Sequence, residues 1–349
     1  MKYYIFTLGC QYNIYESEEI EKTLRNLGLK KAADEKSATF IICNICSVRQ
    51  KPIDRIYGKL KVWGELKLKN PNLRTIGTGC VLPRDRKIFK QRFDLVFDIG
   101  DLKKLQKFIK NEISGLNSIS KLKKVGIKNS GLVPITSGCN NFCTYCAVPY
   151  TRGRERSFSK KQIIEKVRES IQNNSKEIIL LGQNVNSYKY GFSELLEEVA
   201  QIPGNFKISF LSPHPKDTNS KLIEIMAKYP KIKKELHLPL QSGNNKILKL
   251  MNRNYTKQDY EKLVKMIRSI IPNIYLSTDL IVGFPGETKK QFEETYRFCK
   301  KMQFDKAFVS MYSSRPGTEA EKKLKDNISP KEKRSRWLKL DKLINKKIF

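Results

Sequence analysis

SGCNNFCTYCAVPYTRGRERS, running from Ser137 to Ser157, carries three cysteines at Cys139, Cys143 and Cys146. The gaps are three residues and then two. Thiolate is a soft ligand, and cysteines this close converge on one small centre. Three thiolates can hold three irons of a 4Fe-4S cube and leave the fourth without a protein ligand. An open iron can bind and activate a molecule, which a fully ligated electron carrier cannot do. A zinc site would want four ligands, usually paired cysteines with a second pair or histidines nearby. No histidine lies near this stretch. A disulfide fits poorly with a chain that shows no signal peptide. Phe142 and Tyr145 stand between the ligands, where they would screen a cluster from water and tune its potential.

From here toward the C-terminus, strand and helix patterns alternate six times. Strands are expected at 132–136, 177–181, 206–211, 235–240, 274–282 and 306–312. Helices are expected at 159–173, 193–201, 256–271 and 288–302. Six such units suggest an open, partial (β/α)6 barrel of the TIM type, which places chemistry on the loops after the strands. Those loops carry the cysteines, then Gly182, Gln183 and Asn184, then Ser212, Pro213 and His214. Next come Gln241, Ser242 and Gly243, then Gly283 to Glu287, then Ser313 to Gly317. Each is also an ordinary turn composition; together they ring one mouth. His214 and His237 can be read as bases, but no nucleophile accompanies them, so a structural or substrate-contact role is expected. Cys299, beside Phe298 in a helix pattern, reads as a packing residue. From Glu321 to Phe349 a basic helix is expected, with Trp337, Leu340, Leu343 and Ile344 on its apolar side. It reads equally as a face packed on the barrel or as part of an RNA grip.

Toward the N-terminus the chain also alternates strand and helix. Strands are expected at 3–8, 40–43, 74–78 and 94–99. Ser17 is the expected cap of a helix with Ile20, Leu24 and Leu27 on one face and Gly28 at its end. A second helix, with Ile53, Ile56, Tyr57 and Leu60, starts near Pro52. Leu102, Leu105, Phe108 and Ile109 mark a third. This order implies a Rossmann-like, doubly wound parallel sheet over 1–113. Ligands of such sheets bind beyond the carboxyl ends of the strands. Cys10, Cys46 and Cys80 each follow an expected strand, so three loops can bring three thiolates together; scattered buried cysteines are the alternative. Cys43 falls inside a strand and reads as a core residue. Residues 114–130 show no sustained period and read as a linker to a second domain over 131–349.

The 349 residues contain 68 Lys and Arg against 35 Asp and Glu, a formal +33. Basic side chains release counterions from nucleic acids, so a phosphate-rich partner is the natural reading. Genomic base composition can also enrich lysine. No run of about 18 apolar residues exists, so no membrane span is expected. The cytoplasm, where thiols stay reduced, is the expected compartment.

Cys139-x3-Cys143-x2-Cys146 resembles the signature of the radical S-adenosylmethionine (SAM) enzymes. The run Ala147-Val148-Pro149-Tyr150-Thr151-Arg152-Gly153 is similar to their methylthiotransferase branch. The patterns around Cys10, Cys46 and Cys80 match it too, namely Gly-Cys-Gln-x-Asn, Asn-x-Cys-Ser-Val-Arg and Gly-Cys. Ile45 departs from the threonine usual there. The resemblance covers nearly the whole chain. It implies a 4Fe-4S cluster on Cys139, Cys143 and Cys146 that cleaves SAM to a 5′-deoxyadenosyl radical. It implies a second, auxiliary 4Fe-4S cluster on Cys10, Cys46 and Cys80. It assigns the barrel mouth to SAM and substrate, with Gly182, Gln183 and Asn184 by the methionine end and Gly283 to Glu287 by the adenosine. Gln241 and Ser242 are further expected SAM contacts.

Gly182-Gln183-Asn184-Val185-Asn186 and Tyr150-Thr151-Arg152-Gly153 look like the MiaB-type branch of that family. The activity implied is methylthiolation of N6-isopentenyl(dimethylallyl)adenosine at position 37 of tRNA. One SAM would supply a methyl group to sulfur and a second the radical that takes hydrogen from adenine C2. The base would be pulled from the anticodon loop, which costs a few kcal/mol in single-stranded RNA. The implied partners are the anticodon stem-loop, an external reductant and a sulfur source, with the protein a monomer. Alternatives are action on N6-threonylcarbamoyladenosine, a non-catalytic RNA-binding iron–sulfur protein, and a plain electron carrier. The family normally continues into a C-terminal TRAM β-barrel that holds tRNA, and this sequence ends at Phe349 before reaching one.

Overall fold

Residues 1–114 and 130–345 are described by the structure, a computed structural model. The chain divides into two compact units, Met1–Ser130 and Gly131–Phe349. The expected linker at 114–130 falls almost wholly outside the described residues; Ser114 ends a helix and Ser130 opens the next segment.

The first unit runs β1 (Lys2–Thr7), α1 (Gln11–Asn26), β2 (Lys30–Lys31), β3 (Phe40–Cys46), α2 (Gln50–Lys69), β4 (Arg74–Cys80), α3 (Pro83–Phe89), β5 (Leu95–Val96) and α4 (Leu102–Ser114). The strands form one parallel sheet in the order β2-β1-β3-β4-β5. All seven residues of β3 are buried, as a central parallel strand covered on both faces requires. Ile20 and Leu24 of α1 and Leu105 and Ile109 of α4 cover one face. Ile53, Ile56 and Trp63 of α2 cover the other. The sheet is therefore doubly wound, and its strand order reverses between β1 and β3, where such folds open a ligand crevice.

Several expected boundaries move. Helix α1 begins at Gln11, six residues before Ser17, because Ser17 spends its hydroxyl on tertiary bonds. Its Oγ lies 2.7 Å from Thr7 Oγ1 and accepts from Asn44 Nδ2 at 3.1 Å. Strands β3 and β4 run on to Cys46 and Cys80, which close the strands rather than follow them. The ladder stays in register to its end, with Ile45 opposite Gly79 and Cys46 opposite Cys80. Helix α2 starts two residues before Pro52 and leaves Tyr57 exposed. Strand β5 is two residues long, not six.

The second unit runs β6 (Leu132–Pro134), β7 (Thr136–Ser137), α5 (Val148–Arg152), β8 (Arg156–Ser157), α6 (Lys160–Gln172), β9 (Glu177–Leu181), α7 (Phe192–Gln201), β10 (Lys207–Phe210) and α8 (Ser220–Lys228). It continues with β11 (Glu235–His237), α9 (Asn245–Leu250), α10 (Lys257–Ile270), β12 (Tyr275–Val282), α11 (Lys289–Met302), β13 (Lys306–Met311), α12 (Glu319–Lys323) and α13 (Pro330–Ile344). Two parallel sheets, β10-β9-β6 and β11-β12-β13, meet through a parallel bridge between Ile208 and Ile232. Six parallel strands thus form an arc, and among the described residues no ladder joins β6 to β13. This is the open partial barrel expected.

Helices pack on its outer face: Leu236, Leu276 and Leu280 share one core with Val264 of α10, Phe298 of α11 and Leu340 of α13. Ser159, Thr256 and Thr288 cap α6, α10 and α11, each accepting from a backbone N–H three residues on. The expected first strand breaks after Pro134, and Thr136–Ser137 turns to pair antiparallel with Arg156–Ser157. Strand β11 stops at His237, short of the expected 240, because Pro239 cannot donate to a ladder.

The expected single helix over 321–349 is two helices, α12 and α13, with Ser329 capping the second. Leu340 and Ile344 are buried in the barrel core, and Trp337 and Leu343 pack against it. The packed-face reading therefore describes α13. No helix among the described residues is long and apolar enough to cross a membrane.

Candidate functional site

In the first unit, three cysteines meet the carboxyl edge of the sheet. Cys46 and Cys80 are partners across β3 and β4, and Cys10 caps α1 directly after β1. Backbone crowding sets the approach. Gly9 (φ +124°) and Gly79 (φ +101°) precede Cys10 and Cys80. A Cβ on Gly9 would meet Asn13 Oδ1 at 2.5 Å and Cys46 Cβ at 3.1 Å, and one on Gly79 would meet Asn44 Oδ1 at 2.3 Å. Both positions therefore exclude a side chain, on space and on conformation.

Two asparagines tie the edge together, each fully buried. Asn13 Nδ2 donates to Asn44 Oδ1 (3.0 Å) and to the Ile45 carbonyl (3.3 Å). Asn44 Nδ2 donates back to the Asn13 carbonyl at 2.8 Å, and Asn13 Oδ1 accepts from the Cys10 N–H at 3.4 Å. Both stand in the quoted motifs, but spacing alone gave no sign that they bond to each other. Cys43 lies within β3, in the core against α2, and burial pushes its thiol well up.

In the second unit the β7–β8 ladder pairs Ser137 with Arg156, so residues 138–155 form a closed loop. That loop carries Cys139, Cys143 and Cys146. The Gly138 N–H donates to Gln183 Oε1 at 2.7 Å, fixing the loop to the end of β9. The turn after α9 clamps its other side. Asn252, in the left-handed region at φ +55°, donates Nδ2 to the carbonyls of Asn141 (3.0 Å) and Phe142 (3.1 Å). The Thr144 N–H donates to the Met251 carbonyl at 3.1 Å. Arg253, nearly fully buried, points Nη1 at Cys143 Sγ (3.5 Å) and gives Nη2 to the Pro239 carbonyl at 3.0 Å. Sequence reading missed Asn252 and Arg253; a buried arginine leaves no mark in spacing.

The donor set fits an iron–sulfur cluster. Burial pushes the Cys146 thiol up to about 12, with Cys143 adding to the shift, and raises Cys139 as well. Such thiols ionise only against positive charge, which a metal supplies. Among the described residues no three His, Cys, Asp or Glu side chains stand as close as the ligands of a single metal ion. A four-iron cube is wider than one ion, so its thiolates stand further apart.

The expected SAM contacts divide into two kinds. Gln183, Ser242, Gly283 and Glu287 bond to other parts of the fold. Ser242 Oγ lies 3.3 Å from Thr295 Oγ1 on α11. Glu287 Oε2 accepts from the Gly283 N–H and from Arg336 Nη1, each at 2.7 Å. Gly182 leaves no room for a side chain, since a Cβ would meet Thr136 Oγ1 at 2.3 Å. Asn184 and Gln241 differ: both are buried, and Asn184 Oδ1 and Gln241 Oε1 have no hydrogen-bond partner. Gln241 also sits at φ +68°, a conformation costly for a side-chain-bearing residue. Two buried acceptors without donors fit a ligand that brings N–H or O–H groups.

His214 is buried and tied into the fold. Its ring Nδ1 accepts from the Lys216 N–H at 3.3 Å, and its backbone N–H donates to Asn186 Oδ1 at 2.8 Å. Burial, with Arg253 and Lys216 adding to it, pushes its pKa down to about 2. In the unfolded chain it titrates near 6.5. The unfolded state therefore takes the proton first, and stability is lost as pH falls below about 6.5. One unit below that value the expected loss from this group is about 1 kcal/mol. Urea midpoints of wild type and His214→Gln at pH 7.5 and 5.5 measure it; equal acid losses in the two would remove this role.

Comparison with known proteins follows the same division. Residues 133–299 match the radical SAM superfamily, and residues 2–98 match an uncharacterized protein family, UPF0004. A tRNA-2-methylthio-N(6)-dimethylallyladenosine synthase of Carboxydothermus hydrogenoformans is 40% identical over 96% of this chain and 81% of its own. The chain belongs to the tRNA-2-methylthio-N(6)-dimethylallyladenosine synthase family. A synthase of the same name from Clostridium botulinum is 39% identical, over 99% of this chain and 81% of its own. The fold of this synthase family member is also that of a solved radical SAM methyltransferase, TsrM from Kitasatospora setae. There the TM-score is 0.68 at 12% identity, over 92% of this chain and 76% of that one.

Proposed function

We propose that this chain adds a methylthio group to C2 of N6-dimethylallyladenosine in tRNA, at position 37 beside the anticodon. The observation that carries the reading is 40% identity, over nearly the whole chain, to a synthase named for that product. Cys139, Cys143 and Cys146 would hold the 4Fe-4S cluster of the radical step, and Cys10, Cys46 and Cys80 the auxiliary one. When bound, these groups supply one-electron reduction of SAM and a place for sulfur.

The protein's own part is to position and to exclude water. The β7–β8 ladder, Gln183 and Asn252 hold the cysteine loop at the strand ends. Arg253 sets a buried positive charge on Cys143. Asn184 and Gln241 offer acceptors to the amino and hydroxyl groups of SAM, while Gly182, Gln183, Ser242, Gly283 and Glu287 shape the loops around it. Phosphate contacts from a chain at +33 favour the anticodon stem-loop as partner. The reaction needs an external reductant and a sulfur source, and the chain works as a monomer in the cytoplasm.

The test is anaerobic incubation of reconstituted protein with SAM, a reductant, sulfide and tRNA bearing N6-dimethylallyladenosine. Mass spectrometry of the nucleosides should reveal the 2-methylthio product. Formation of 5′-deoxyadenosine without that product would overturn the substrate. Neither product, from protein with both clusters verified, would overturn the enzyme reading.

A further inference from the structure

Strand alternation places His237, Ser277, Asp279 and Phe308 on one face of the β11–β12–β13 sheet. His237 is the register partner of Ser277, and Asp279 of Phe308. Their neighbours Leu236, Leu276, Leu280 and Ala307 point the other way, into the core beneath the helices. The four residues therefore line the inner wall of the open barrel. His237 is gripped from two sides: Nδ1 lies 3.0 Å from Ser277 Oγ and Nε2 lies 3.1 Å from Asp279 Oδ2. The Phe308 ring meets the imidazole edge-on, with centroids 5.7 Å apart, and is itself 53% exposed.

Serine, histidine and aspartate in contact also make hydrolytic triads. Here the order of exposure is wrong for one. Ser277 is buried, while the Asp279 side chain is 38% exposed. What faces the lumen is a fixed carboxylate beside an uncovered aromatic ring. Among the described residues, no hydrogen bond is made by the second carboxylate oxygen of Asp279. A ring that can stack and an acceptor beside it suit a splayed-out nucleobase.

We propose that Asp279 and Phe308 read the target base, with His237 positioning Asp279. This rests on the function proposed above. N6-Dimethylallyladenine offers one N–H at N6 and a branched apolar chain of five carbons. Asp279 accepts the N6–H, and Phe308 packs the ring and its apolar branch. Ser277 and His237 hold the carboxylate in place and touch no substrate.

The test uses reconstituted protein and two RNA stem-loops, one with N6-dimethylallyladenosine and one with adenosine at the target position. Affinities are read anaerobically by fluorescence anisotropy. Wild type should prefer the prenylated stem-loop by roughly tenfold, the scale at which apolar pockets discriminate. Phe308→Ala should bring that ratio close to one, and Phe308→Leu should restore part of it. Asp279→Ala should weaken binding of both RNAs, and Asp279→Asn, which keeps an acceptor, should recover much of the loss. Circular dichroism confirms that each variant is folded. Affinities within twofold of wild type in all four variants would overturn the base-reading role. If wild type still forms the methylthio product in that case, the function stands and this proposal alone falls. If wild type binds neither stem-loop and forms no product, both fall.

Discussion

Cys143→Ala is expected to abolish SAM cleavage and to lower bound iron from about eight to about four per chain. The two cysteine sets lie in different compact units, so loss of one cluster leaves the fold around the other intact. Cys143 is also the ligand that Arg253 addresses at 3.5 Å. Without its sulfur, that buried guanidinium loses its soft acceptor, and the loop held by Asn252 and Thr144 keeps its shape but not its ligand. The readouts are iron and sulfide content, electron paramagnetic resonance of the reduced protein, and 5′-deoxyadenosine by chromatography. Cys43→Ala, by contrast, should retain full iron, because Cys43 is buried within β3 against α2. Loss of all iron in Cys143→Ala, or of half in Cys43→Ala, would contradict the assignment of two triads.

The second large effect belongs to the barrel's C-terminal support. Arg336 on α13 is 3% exposed and Glu287 only 1%. Arg336 Nη1 donates to Glu287 Oε2 at 2.7 Å and to the Glu287 carbonyl at 2.8 Å, and its Nε donates to Glu332 at 2.9 Å. Glu287 in turn holds the Gly283 N–H at the end of β12. Burial raises the Glu287 pKa, and Arg336 opposes that rise. Arg336→Met leaves a buried carboxylate without its cation, which costs about 3–5 kcal/mol. The double variant Arg336→Met with Glu287→Leu removes both charges and should recover much of that loss, less the bond to Gly283. Urea unfolding of the reconstituted protein gives both values. A single-variant cost below about 1 kcal/mol would show that water reaches the pair.

Glu287 also shows what sequence reading leaves out. Its loop, Gly283 to Glu287, stands out as a run of unusual residues after a strand, and a ligand contact is the natural expectation for it. In the fold its carboxylate is committed to Gly283 and Arg336, 49 residues further on. No local pattern announces a pairing across that distance. Asn184 and Gln241 come from the same kind of loop, yet keep a buried acceptor without a donor. Only tertiary packing separates the loop residue whose polar atoms are met within the fold from the one whose acceptor is left without a donor.

The cysteine spacings, the strand–helix alternation and the helix starts near Ser159, Thr256 and Thr288 were legible without a fold, because each depends on neighbours within a few positions. From them follow two α/β units, one doubly wound and one a partial barrel, and the identity of six candidate ligands. Long-range contacts decided the rest. Ser17 gave up its capping role to bond Thr7 and Asn44, and β3 and β4 ran on until Cys46 faced Cys80. Asn252 and Arg253 reached across more than 100 residues to the cysteine loop. His237, Asp279 and Phe308 became a single wall because parallel strands set them in register. Local spacing specifies which residues can act; the pairing of distant segments specifies which of them meet.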